Sequence, residues 1–275
     1  MPRFAANLTM LWPELEDFER FRAARDAGFR RVERLFAHDL DADRLERTLR
    51  DFGLELILFD PAAGDWSAGE RGFLCLQGRQ EQLRQTVREA LALARRLGTK
   101  RLNVLAGIAP PAVPPEELRR IAVANLRALA PLAAAEGVTL LVEAINTVDM
   151  PGYALPTVEE AAAVVRKVAH SAVALQLDQY HVAMSGGDPI RALREHHALV
   201  RHVQIADVPG RHEPGTGAQP IQAFLTELDQ LGYAGYVGLE YRPAGITDEG
   251  LAWLPREARA STLGSERTRA STHSA

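Results

Sequence analysis

Lysine occurs only at Lys100 and Lys167 in the 275 residues, and cysteine only at Cys75. A lone cysteine excludes an intrachain disulfide framework. The cationic side chains are therefore almost all arginine, which together with abundant alanine reflects coding bias rather than a recognition surface. No excess of one charge sign is present either. A formal net charge of -4 gives no electrostatic reason to expect a nucleic acid or an anionic membrane as partner. No apolar run is long enough to span a bilayer, and no apolar signal segment opens the chain, so the expectation is a soluble, cytoplasmic protein without a membrane partner.

What is present is a 47% hydrophobic composition, enough for a sizeable core, with no composition break in the middle. Short apolar runs alternate with helical patterns. Strands are predicted at 3–8, 31–34, 54–59, 101–105, 139–142, 173–177, 199–205 and 236–239, and helices at 14–27, 41–52, 79–97, 115–136, 157–168, 188–197 and 221–231. In the first helix Leu15, Phe18, Phe21 and Ala24 share one face, and Gly28 follows as a stop signal. Eight βα units predict an α/β fold of parallel strands closed into a (β/α)8 TIM barrel, one domain over 1–255. The segment 256–275 has hardly any large apolar residue and is expected to be a disordered tail.

Four of the predicted strands end on, or hold near their end, an acidic or amide side chain: Glu143 after TLLV, Asp178 after VALQL, Gln204 in LVRHVQI and Glu240 after YVGL. A polar residue capping a buried strand is unusual. In a parallel barrel all C-terminal strand ends meet on one face, so residues far apart in sequence can surround one ion. Three carboxylates and an amide oxygen form a hard donor set, suited to Mg²⁺ or Mn²⁺.

The stretches PRFAANLTML (2–11), GDWSAGERG (64–72), LVEAIN (141–146), QLDQYH (176–181), VQIADVPGRHEPGTG (203–217) and GLEYRP (238–243) resemble the hydroxypyruvate isomerase family, over residues 2–254. That family belongs to the xylose-isomerase-like barrel superfamily and includes the 2-oxo-tetronate isomerases. The resemblance implies that Glu143, Asp178, Gln204 and Glu240 hold a divalent metal and that Glu143 and Glu240 form the proton-transfer pair. It also implies an isomerase of short hydroxy-oxo acids, with hydroxypyruvate and a four-carbon oxo acid as alternative substrates.

Exchange of carbonyl and hydroxyl between adjacent carbons needs a proton to leave one carbon and reach the next, which two carboxylates on opposite sides of an enediol can manage. His181 and Arg211 are the candidates for holding substrate oxygens or carboxylate, Arg because its planar fork matches a carboxylate. His181 has the alternative of orienting Asp178 from behind. His202 is expected to be a satisfied core histidine, and Trp66 either covers the site or packs between helices. Asp60-Pro61-Ala62 and Ala37-His38, in loops that face substrate, depart from the family pattern, as do Ala218-Gln219-Pro220 and Arg242, leaving chain length open. A DNA-repair endonuclease and a non-catalytic binding protein are the readings from other classes, and a homo-oligomer stays open.

Overall fold

In this computed structural model, which describes residues 2–260, eight strands run parallel: β1 Arg3–Asn7, β2 Arg31–Glu33, β3 Glu55–Leu58, β4 Arg101–Asn103, β5 Thr139–Glu143, β6 Val173–Asp178, β7 Val200–Ile205 and β8 Tyr236–Leu239. Their spatial order, β3-β2-β1-β8-β7-β6-β5-β4, joins first to last through β1 and β8, and the ring closes between β3 and β4 at the parallel bridge Phe59↔Leu102. The predicted barrel is present.

Helices α1 Asp17–Asp26, α2 Ala42–Phe52, α3 Gln80–Leu97, α4 Pro115–Ala135, α5 Val158–Val168, α6 Gln179–Met184, α7 Pro189–His196 and α8 Ile221–Gln230 surround it, followed by the short turns α9 Thr247–Gly250 and α10 Arg256–Arg259. The first helix starts three residues later than its apolar spacing suggested, because residues 13 and 14 form a turn and 15 a bend. Elsewhere the caps set the ends. Asp41, Thr157 and Asp188 each accept a backbone N–H of the first turn, and Gly53 closes α2 in the left-handed conformation at φ 62°. Helix α6, directly after Asp178, has no counterpart among the predicted elements.

The first residues of the expected tail are ordered. Ala258 is buried, and Arg259 donates to Leu254 O, Ala27 O and Leu251 O, tying α10 to the outside of the barrel. The rest of that tail lies outside the described residues.

Inside the barrel, side chains of one strand parity form three levels, as the two-residue repeat of a strand requires. At the N-terminal end stand Arg3, Arg31, Arg101 and Tyr236. Above them Ala5, Ile57, Leu141 and Ala174, joined by Leu58 where the β2–β3 register shifts, make a small apolar cluster separate from the main core between strands and helices. At the C-terminal end the same parity delivers Asn7, Glu33, Asn103, Glu143, Asp178, Gln204 and Glu240, all buried. No helix among the described residues is long and apolar enough to cross a membrane.

Candidate active site

A cavity of about 500 Å³ opens at the C-terminal end of the barrel, and its floor holds Glu33, Asp60, Glu143, Gln204 and Glu240. Asp178 lies among them, within reach of His181 and Arg211. Neighbouring amides fix the carboxylates. Asn103 Nδ2 donates to Glu143 at 2.7 Å, Asn7 Nδ2 donates to Glu33 and to Glu240 at 3.0 Å each, and the backbone N–H of Tyr180 donates to Asp178 at 2.8 Å. Gly238 is what admits Glu33: a Cβ there would meet the Glu33 carboxylate at 2.3 Å.

The four expected metal ligands share the cavity but divide into two groups. Ligand atoms of Glu143, Asp178 and His181 lie within 4.8 Å of one another. Gln204 instead donates through Nε2 to Glu33 and to Glu240, while its oxygen accepts from Gln176 at 2.7 Å. Glu240 is also paired with Arg211 at 2.7 Å. His181 therefore stands nearer to the Glu143–Asp178 pair than a role confined to substrate would require.

Arg211 reaches the floor from the loop after β7. Asp207 organises this loop by accepting from the backbone N–H groups of Val208, Gly215 and Gln219 at 2.9, 2.9 and 3.0 Å. Burial works to raise the Asp207 pKa, but these donors and Gly217 outweigh it and hold it below the usual value. Arg211 itself has φ 58°, a left-handed conformation that costs free energy in a residue other than glycine, and the N–H of Arg242 holds its carbonyl at 2.8 Å. Its guanidinium lies 3.4 Å from Asp178 and 4.8 Å from the Tyr180 ring centroid.

Electrostatically the floor is short of positive charge. Burial first, then the neighbouring Asp178, raises Glu143 from 4.5 to about 8; burial raises Asp178 from 3.8 to about 6 although Arg211 opposes it. Glu240 and Asp60 are pushed well upward, burial being the main cause in both. For His181, burial and the Arg211 charge depress the pKa, so the imidazole is neutral; its Nδ1 faces the Asn146 amide at 2.6 Å and its Nε2 faces Asp178 and Arg211 at 3.5 Å each.

The rim is basic. Arg34, Arg71 and Arg242 line the mouth, but Arg34 is paired with Asp17 at 2.7 Å and Arg71 donates to Trp66 O and Glu70 O. The Arg242 side chain has no partner among the described residues. Trp66 is 38% exposed, packs edge-on against Phe36 at 5.2 Å and lines the same cavity, so it stands at the mouth and not between helices.

Sequence reasoning missed Asn7, Glu33, Asn103 and Gln176, and it put Asp60 in a substrate-facing loop without reading it as a floor carboxylate. The signal was available for three of them: Asn7, Glu33 and Asn103 end β1, β2 and β4 in the same manner that Glu143 ends β5. His202, read as a satisfied core histidine, is fully buried with Nε2 2.7 Å from Glu33, which makes it a support for a floor carboxylate.

A protein-family model described as xylose isomerase-like TIM barrel matches residues 21–257. The chain belongs to this family. Among curated relatives of this xylose isomerase-like barrel, 2-oxo-tetronate isomerase of Cupriavidus necator is 42% identical over 92% of the chain and 98% of the relative. Hydroxypyruvate isomerase of Escherichia coli is 38% identical with the same coverage. Among solved structures, an AP endonuclease of family 2 from Brucella melitensis superposes with a TM-score of 0.89 at 42% identity, over 92% of this chain and 98% of that one.

Proposed function

We propose that this isomerase interconverts short hydroxy-oxo acids by moving a proton between adjacent carbons through an enediol. Hydroxypyruvate and tartronate semialdehyde are the three-carbon pair, and a 2-oxo-tetronate is the four-carbon alternative. The observation that carries the reading is the placement of Glu143 and Glu240. Glu143 ends β5 and Glu240 follows β8, with β6 and β7 between them in the ring, so their carboxyls approach one cavity from separate walls. Burial raises both, Glu143 to about 8 and Glu240 well above the usual carboxylate value, as suits a pair that exchanges protons with a substrate carbon. Glu143 removes the proton from one carbon and Glu240 returns one to its neighbour, or the reverse, according to the direction of turnover.

The donor set fits a divalent cation. Five buried carboxyl groups in one floor, with Arg211 as their nearest guanidinium, leave negative charge for an ion to neutralise. Glu143, Asp178 and His181 would hold it, with Glu240 and, after rotation of its amide, Gln204 as further oxygen donors. A carboxylate-rich set with one imidazole suits Mn²⁺ or Mg²⁺. When bound, the ion acts as a Lewis acid that polarises a carbonyl and stabilises the negative charge developing on proton loss. His181 and Arg211 orient the substrate oxygens at the floor. Arg242, unpaired at the mouth, takes the substrate carboxylate, which places the reacting carbons between the two glutamates.

A phosphodiester-cleaving reading, prompted by the name of the Brucella structure, fits poorly. Carboxylates outnumber imidazoles in the cavity, and a net charge of -4 gives the chain no overall attraction for a nucleic acid. The deciding experiment screens three- and four-carbon hydroxy-oxo acids for isomerisation in D₂O with Mn²⁺ or Mg²⁺. Deuterium is expected at the carbon that receives the proton, and Glu143→Gln and Glu240→Gln are each expected to lower turnover by about two orders of magnitude. Full turnover in both variants would end the proposal.

A further inference from the structure

The opposite end of the barrel carries a second concentration of charge, of the other sign. Arg3, Arg31 and Arg101, at the starts of β1, β2 and β4, bring their guanidinium carbons to 4.2, 5.6 and 4.9 Å from the centroid of the Tyr236 ring, and Arg201 stands beside them near the start of β7. Arg31 has Glu55 at 3.7 Å, and that carboxylate is 62% exposed. Arg3, Arg101 and Arg201 form no ion pair among the described residues.

Backbone carbonyls occupy part of their donor capacity. Arg3 donates to Ala234 O, Arg101 Nε to Arg201 O at 3.1 Å, and Arg201 Nη1 to Ala198 O and Val200 O at 3.0 and 2.8 Å. Both terminal nitrogens of Arg101, and Nε and Nη2 of Arg201, remain without a protein acceptor among the described residues.

A cavity of about 290 Å³ lies against these two arginines. Its wall is made by Arg101, His197, Arg201, Tyr233 and the turn at 232–235, with Leu193, Val200 and Leu231 as its apolar part, and no acidic residue lines it. By volume it holds about ten waters, room for a tetrahedral oxyanion with a small attached group. Burial, with added repulsion from Arg3 and Arg201, lowers the Arg101 pKa even though Tyr233 and Tyr236 oppose the shift. Holding cations together at a barrel base against that repulsion costs free energy that an anion would offset.

We propose that this pocket is a binding site for a phosphate-type dianion, gripped by Arg101 and Arg201 and distinct from the carboxylate-floored cavity at the other end of the barrel. The planar guanidinium fork matches phosphate oxygens bidentately. His197 stands on the same wall with its Nδ1 donating to Arg194 O at 2.9 Å, so the two arginines supply the donors to the anion. Free phosphate and a small phosphate monoester present the same oxygens, and the measurement separates them by affinity.

The test is calorimetric titration of the full chain in metal-free buffer with inorganic phosphate, with a three-carbon phosphate monoester that has no carboxylate, and with sodium chloride at matched ionic strength. Phosphate binding is expected, tighter for the monoester if the attached group fills the cavity. Arg201→Gln and Arg101→Gln are each expected to weaken it about tenfold or more, while Arg84→Gln, partly exposed on α3 and paired with Glu81, leaves it unchanged. Arg201 is exposed, so its variant should fold even where Arg101→Gln does not. Heats no larger than those of chloride, binding that survives Arg201→Gln, or binding lost in Arg84→Gln would each overturn the site.

Discussion

Replacing Arg211 with alanine removes the guanidinium that faces Glu240 at 2.7 Å and Asp178 at 3.4 Å, in a side chain only 11% exposed. Breaking a buried pair by deleting one partner costs about 3–5 kcal/mol, or about 6–20 °C at about 2–4 °C per kcal/mol for a chain of this size. The sign with pH follows from the carboxyls. Glu143 and Asp178 rise on folding from 4.5 to about 8 and from 3.8 to about 6, so their contribution to stability is present at low pH and is lost as pH rises through the folded values. Arg211 opposes both rises, and without it they become larger. The deficit of Arg211→Ala in metal-free protein should therefore be small near about pH 5, where the floor holds its protons, and full near about pH 8. Added Mn²⁺ should restore most of it, since the ion supplies the missing charge. Calorimetric melting of wild type and variant at the two pH values, with and without the ion, measures this directly. A deficit equal at both pH values and unmoved by metal would refute the electrostatic account and assign the cost to lost packing on Tyr180.

Chelation is expected to abolish isomerase activity, with Mn²⁺ or Mg²⁺ restoring it, because the candidate set has one imidazole among carboxylate and amide oxygens; tightly held zinc as the sole activating ion would overturn that assignment. Arg242→Ala should raise KM about tenfold or more with kcat nearly kept, as expected for loss of a charge-assisted hydrogen bond made equally to bound substrate and transition state, and Arg242→Lys should recover part of the loss. An unchanged KM for a carboxylate substrate would remove Arg242 from the site.

Periodicity and strand-end chemistry made the barrel and half of its floor legible in the chain. Parallel βα units can bury both faces of each strand only by closing or stacking, and closure brings every C-terminal strand end to one rim; hence Glu143, Asp178, Gln204 and Glu240 were readable as neighbours from sequence position alone. The same logic extended to Asn7, Glu33 and Asn103, whose strands are only five, three and three residues long and give a weak apolar signal. Tertiary structure decided what pairs with what. It turned the Gln204 amide toward Glu33 and Glu240, put His181 against Glu143 and Asp178, and bent the loop after β7 around Asp207 so that Arg211 enters the floor. Such choices depend on side-chain rotamers and loop closure over many residues, which no local spacing encodes. The arginines at the base of the barrel were invisible for a related reason. They lie at strand starts scattered across some two hundred residues, and only the register of the closed sheet sets Arg3 beside Tyr236 and brings Arg101 to the same ring.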